Sequence, residues 1–129
     1  MAYYFTTTVK GNLEETIEKV KGGLAGKGFG VLSDIDVQAT MKKKLGEDFR
    51  PYRILGACNP PFAHKALQAE DKIGTMLPCN VIVQETSPGT CEVSAVDPVE
   101  SMKAVSNPAL GSVAGDIRSM LKSVIDGLS

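Results

Sequence analysis

Three times in this chain an Asx residue stands directly before a proline: Asn59-Pro60, Asp97-Pro98 and Asn107-Pro108. Each pair reads as a helix start, because the Asx side chain accepts from a free backbone N–H and proline lacks the donor that would otherwise go unpaired. The third opens the most regular helix, where Val113, Ile117, Leu121, Val124 and Leu128 form one apolar stripe ending near Gly127. The first two follow runs rich in strand formers, Tyr52–Ala57 and Cys91–Val96. The pairs therefore set strand ends against helix starts.

The other elements follow from local pattern. Residues 3–8 are tyrosine, phenylalanine and threonine, and read as a first strand. Asn12 with Glu15 forms a capping pair, and Leu13, Ile17, Val20 and Leu24 recur at helical spacing, so residues 13–25 are expected to be helical. Phe29, Val31, Ile35 and Val37 are expected on one face of a second strand, with Leu32, Asp34 and Asp36 on the other. A short helix or turn follows through Gln38–Leu45. Leu77, Cys79, Val81 and Val83 alternate with Pro78, Asn80, Ile82 and Gln84, and Ser87-Pro88-Gly89-Thr90 reads as a hairpin turn into the last strand. The order β-α-β-(α)-β-α-β-β-α predicts a single α+β domain over residues 1–129. Its sheet is expected to be mixed and largely antiparallel, of about five strands, with helices packed on one face.

Composition excludes several roles. With 14 Lys plus Arg against 15 Asp plus Glu, the chain lacks the basic footprint of a nucleic-acid binder. Aromatics at 5% and the absence of Trp argue against a base-stacking platform. No apolar run approaches the ~20 residues that span a bilayer, so no membrane partner is expected. Three cysteines without close spacing are not a disulfide framework. The start Met1-Ala2-Tyr3-Tyr4 lacks the basic and apolar regions of a signal peptide. A cytoplasmic location is the expectation.

Some tempting motifs fail. Gly26-Lys27-Gly28 follows a helix and precedes a strand, the reverse of a phosphate loop, and a glycine stands where the hydroxyl residue belongs. Lys42-Lys43-Lys44 lies beside Glu47 and Asp48 and reads as a solvated helix face. Asp34 and Asp36 have no partner evident in the sequence.

Cys58 carries more. It precedes Asn59-Pro60-Pro61, which sets its sulfur near the positive end of the next helix, where thiols have lowered pKa values. His64, the only histidine, falls opposite the stripe Phe62, Ala66, Ala69 and Ile73, and helical side chains lean back towards the N-terminus. Cys58 and His64 are thus a candidate thiolate–imidazole pair, and Cys79 completes a metal set only if the three cluster. Against this, free cysteines are commonly core filler, and both Cys79 and Cys91 lie on apolar strand faces.

The segments Ile54-Leu55-Gly56-Ala57-Cys58-Asn59-Pro60-Pro61-Phe62-Ala63-His64-Lys65-Ala66-Leu67 and Gly74-Thr75-Met76-Leu77-Pro78-Cys79-Asn80-Val81-Ile82-Val83 resemble the prokaryotic domain of unknown function family 302. The resemblance covers about residues 34–97. It implies a compact α+β domain, a homodimer, and no established activity. It marks Cys58, Pro60, His64, Leu67, Pro78 and Cys79.

Three functions remain open from the residues. The first in rank is a small-ligand, anion or metal site at the N-terminus of the Pro60 helix, with Asn59, Asn80, His64 and Cys79 near it. The second is a thiol-dependent or redox enzyme using Cys58 with His64. The third is a homodimeric interaction module. No cofactor motif is present. Whether Cys58 and Cys79 meet depends on topology: a crossover between parallel strands separates them, whereas antiparallel neighbours bring them together.

Overall fold

The computed structural model describes residues 2–129. Its strands are β1 (Tyr4–Lys10), β2 (Gly30–Asp36), β3 (Tyr52–Cys58), β4 (Cys79–Ser87) and β5 (Thr90–Val96). They form one sheet in the order β1-β5-β4-β3-β2, and every neighbouring pair is antiparallel. The mixed sheet expected from the sequence is therefore antiparallel throughout. The helices are α1 (Leu13–Ala25), α2 (Val37–Leu45), α3 (Pro60–Ala69), α4 (Pro98–Ser101) and α5 (Leu110–Asp126). A 3-10 stretch, Asp71–Met76, follows α3.

Local chemistry explains most boundaries. Asn12 and Glu15 form the reciprocal capping box at the start of α1. Asp36 caps α2 through the Ala39 N–H, and Gly46 ends that helix in the left-handed region. Pro88-Gly89 joins β4 to β5, with Gly89 at φ +78°. Asp97 caps α4 by accepting from the Val99 N–H at 3.0 Å, as its position before proline implies. Asn107 accepts from the Ala109 N–H at 3.0 Å in a turn that precedes α5, which starts only at Leu110 and has no side-chain cap. Asn59 departs from this pattern and makes no side-chain cap.

Two cores result. In the larger, Ile17, Val20 and Leu24 of α1 and Ile117, Leu121 and Val124 of α5 pack on one face of the sheet. The smaller joins Ala66 of α3, Ile73 and Leu110, with Leu77, Met102 and Val113 against it. Because β3 and β4 are antiparallel neighbours, α3 and the 3-10 stretch leave and rejoin the sheet at the same end. They therefore cap that end instead of crossing a face. Among the described residues no helix is long and apolar enough to cross a membrane.

Strand β2 departs from the expected alternation. Val31 pairs with Ala57 but Ser33 pairs with Gly56, so a bulge falls at Leu32. Beyond it the faces are exchanged. Ile35 pairs with Ile54 and is 49% exposed, away from the core expected to hold it beside Val31. Asp34 finds the partner that the sequence did not supply: the Arg53 guanidinium donates to both carboxylate oxygens, one bond being 2.7 Å. That bond is the main cause holding the Asp34 carboxyl below the usual range.

Candidate functional site

A cavity of about 300 Å³ lies between the two cores. Its walls come from three separated parts of the chain: β2 and the residue before it, the segment from β3 through α3 to β4, and α4 with the first turns of α5. Phe29 and Ala57 bound it on the sheet side, and Phe62, Leu77, Met102 and Val113 on the other. Leu32, re-aimed by the bulge, and Leu67 also line it, and at 71% and 43% exposure they mark its rim.

The antiparallel β3–β4 pairing settles the topology question. Ala57 faces Cys79 across the two strands, and Cys58 is the next residue. Cys58 is half-buried, Cys79 is buried, and both line the cavity. Burial, and then the neighbouring charge of a Cys58 thiolate, push the Cys79 thiol up to about 11. Cys91 is fully buried in the larger core, where its Sγ lies 3.5 Å from the Gly11 carbonyl oxygen.

The other candidate residues are dispersed. His64 is exposed on α3 and does not line the cavity. Among the described residues no group of three or more His, Cys, Asp or Glu is placed to hold a metal ion, so Cys58, His64 and Cys79 do not make a metal set. Asn80 alternates with Cys79 along β4 and is exposed. It lines a shallow concavity on the opposite face of the sheet, with Tyr52, Ile82 and Gln84.

Asn59 is buried in the cavity wall, and its Nδ2 donates to the Lys27 carbonyl at 3.2 Å. The next residues leave it one donor that it could cap, the Phe62 N–H. A capping side chain accepts from the second or third helical N–H, and the second here belongs to Pro61, which has none. The same prolines weaken the anion reading. Pro60 and Pro61 lack N–H groups and the Ala63 N–H bonds the Asn59 carbonyl, so Phe62 alone has an N–H to offer in the first turn.

Sequence reasoning missed most of the cavity. Phe29, Met102 and Val113 look like ordinary core residues, and only tertiary packing leaves space between them. One signal was legible: two prolines after Asn59 make a capping role for its side chain poor, which frees the amide for another task.

The chain matches the model of "Domain of unknown function DUF302" over residues 5–128, well beyond the 34–97 of the expected resemblance. It is also similar to a crystal structure described as an uncharacterized conserved protein DUF302 from Bacillus stearothermophilus. The two chains are 32% identical, each is covered over 100% of its length, and the TM-score is 0.91. No curated protein matches. With nearly its whole length matched, this chain belongs to the DUF302 family of domains of unknown function.

Proposed function

We propose that this protein binds a small, predominantly apolar molecule in the cavity between its two cores. The observation that carries the reading is the cavity itself, about 300 Å³ and walled almost entirely by apolar side chains. That volume falls at the lower end of small-molecule sites, roughly 300–1,000 Å³. An apolar occupant removes such walls from water and supplies them with dispersion contacts. The cavity lies beside the start of α3, and its apolar lining favours an uncharged ligand over an anion. Saturable calorimetric binding of indene, a neutral bicyclic hydrocarbon, tests the reading. Ala63→Leu, which adds bulk at the cavity wall, is expected to abolish that binding. Unsaturable or undetectable binding to the wild-type protein, at the solubility limit of both indene and indole, would sink it.

Thiol chemistry belongs to the same cavity. Cys58 supports it as the half-buried thiol in the wall, whereas the raised pKa of Cys79 and the exposure of His64 favour neither as its helper.

Self-association is a second reading, favoured by the opposite face of the sheet. Among the described residues Glu92 is the one charged side chain lining the concavity there, beside Tyr4, Thr6, Tyr52, Ile82 and Ser94. A face poor in charge and rich in tyrosine meets its own copy about a two-fold axis without like-charge repulsion. Light scattering after size exclusion should then give a dimer mass, and Ile82→Glu a monomer. A wild-type monomer at about 100 µM, well above a tight dimer's dissociation constant, would remove this reading.

A further inference from the structure

We infer that Asn59 sets the polar specificity of the cavity: its side-chain oxygen accepts one hydrogen bond from a neutral donor on an otherwise apolar ligand. This deepens the proposed small-molecule reading and rests on it.

Asn59 is only 7% exposed, and it lines the cavity. Its orientation is fixed from the other side. Nδ2 donates to the Lys27 carbonyl at 3.2 Å and lies 3.8 Å from Met120 Sδ. A carbonyl only accepts, so the amide nitrogen must face it and the oxygen must face away. The adjoining Gly28, at φ +84°, brings the loop so close that a Cβ there would sit 3.3 Å from Nδ2. The amide is thus held by a backbone shaped around it.

The oxygen has no such partner. It does not cap α3. Buried amide oxygens are ordinarily hydrogen-bonded. Among the described residues no polar side-chain atom is sealed from solvent without a partner. The Asn59 oxygen therefore keeps some accessible surface, and Asn59 lines the cavity.

The ligand's chemistry follows. Apolar walls with no countercharge penalise an ionic ligand through desolvation. A carboxylate would bring acceptors to an acceptor. What fits is a neutral N–H or O–H on an apolar body: a phenol, an alcohol, or an azole-type N–H such as that of indole.

Calorimetric titration of indole, indene and N-methylindole tests this, since the three share a bicyclic shape and only indole donates. The wild-type protein is expected to bind indole about 3- to 10-fold tighter than the other two, the span of one net hydrogen bond. Asn59→Leu should lose the preference for indole over indene. Equal affinities in the wild-type protein, or a preference surviving in Asn59→Leu, would overturn the role of Asn59 while leaving the apolar site standing. Failure of all three to bind would overturn the apolar site and this inference together. The N-methylindole comparison uses the wild-type protein alone, so it decides the matter even if Asn59→Leu fails to fold.

Discussion

Ala57 and Cys79 face one another across β3 and β4, and this pairing brings Cys58 beside a second thiol in the wall of a single cavity. The three cysteines then have unequal surroundings: Cys58 is half-buried, while Cys79 and Cys91 are 8% and 0% exposed. Iodoacetamide in the native state should modify Cys58 at least about 10-fold faster than either other thiol, because access governs the rate when a thiol is sealed. Peptide mass spectrometry over time reads this directly. Saturating indole should slow the Cys58 reaction and leave the other two unchanged. Equal labelling of all three would exclude thiol chemistry centred on Cys58.

Cys79 also predicts an alkaline stability loss. Its folded-state pKa is raised from 9.0 to about 11. The folded state therefore holds the proton more tightly than the unfolded chain. The resulting stabilisation is complete below pH about 9 and disappears as pH rises through about 11. The shift corresponds to roughly 2–3 kcal/mol, as an order of magnitude. Urea denaturation at pH 8 and pH 10.5 should show a steeper loss for the wild-type protein than for Cys79→Ala. Comparing the two slopes removes the contribution of tyrosines and lysines that titrate in both.

Gly56 is a steric requirement. A Cβ there would meet Ser33 Oγ and would sit 2.6 Å from Cγ of the Pro78 ring. The Ser33 hydroxyl can rotate, but the proline ring is fixed to the backbone. Gly56→Ala should destabilise by about 1–3 kcal/mol, the range for overpacking. Gly22 is the contrast, an exposed glycine within α1 whose Cβ would meet nothing within 4 Å. Gly22→Ala should stabilise by about 0.5–1 kcal/mol through helix propensity. Denaturation midpoints moving in the same direction for both variants would contradict this account.

Asp97 carries two tasks at the end of β5. One oxygen caps α4, and the other accepts from Arg118 Nε at 3.0 Å. The carboxylate side chain is 6% exposed and the arginine 40%, and the guanidinium also lies 5.1 Å from the centre of the Phe5 ring. Asp97→Ala is expected to cost about 2–4 kcal/mol, combining a lost cap with a broken, partly buried ion pair. Asp97→Asn keeps the cap and should cost less than half of that. Chemical denaturation of the two variants separates the contributions, and equal losses would mean that the cap contributes nothing.

The legible parts of the sequence were those governed by neighbours along the chain. The Asn12–Glu15 box and the Leu13–Leu24 spacing define α1 at both ends, and Pro88-Gly89 defines the hairpin, because each depends on a few adjacent residues. The bulge at Leu32 was not legible, since nothing in Val31-Leu32-Ser33 shows that β3 will pair two residues against three. From the sequence, Cys58, Asn59 and Cys79 could be drawn to one corner only on the condition that β3 and β4 ran antiparallel, which is a long-range property. His64 and Asn80 were drawn there by helix direction and sequence proximity. The exposed side of α3 and the strand alternation at Cys79 send them elsewhere. Asp97-Pro98 obeys the local rule, Asn107-Pro108 makes its bond in a turn ahead of α5, and Asn59-Pro60-Pro61 makes no side-chain cap.

The small core at the end of the sheet has a kinetic consequence. Its buried centre is Ala66, Ile73 and Leu110, whereas the larger core ties α1 and α5 to the sheet. Regions with fewer buried apolar contacts open at lower free energy than the whole molecule. Amide hydrogens of α3 should therefore exchange sooner than those of β4 and β5, and in concert with those at the start of α5. One wall of the cavity then belongs to the part that opens first and the other to the part that opens last, so an occupant touching both should slow exchange in α3 and leave β4 and β5 unchanged.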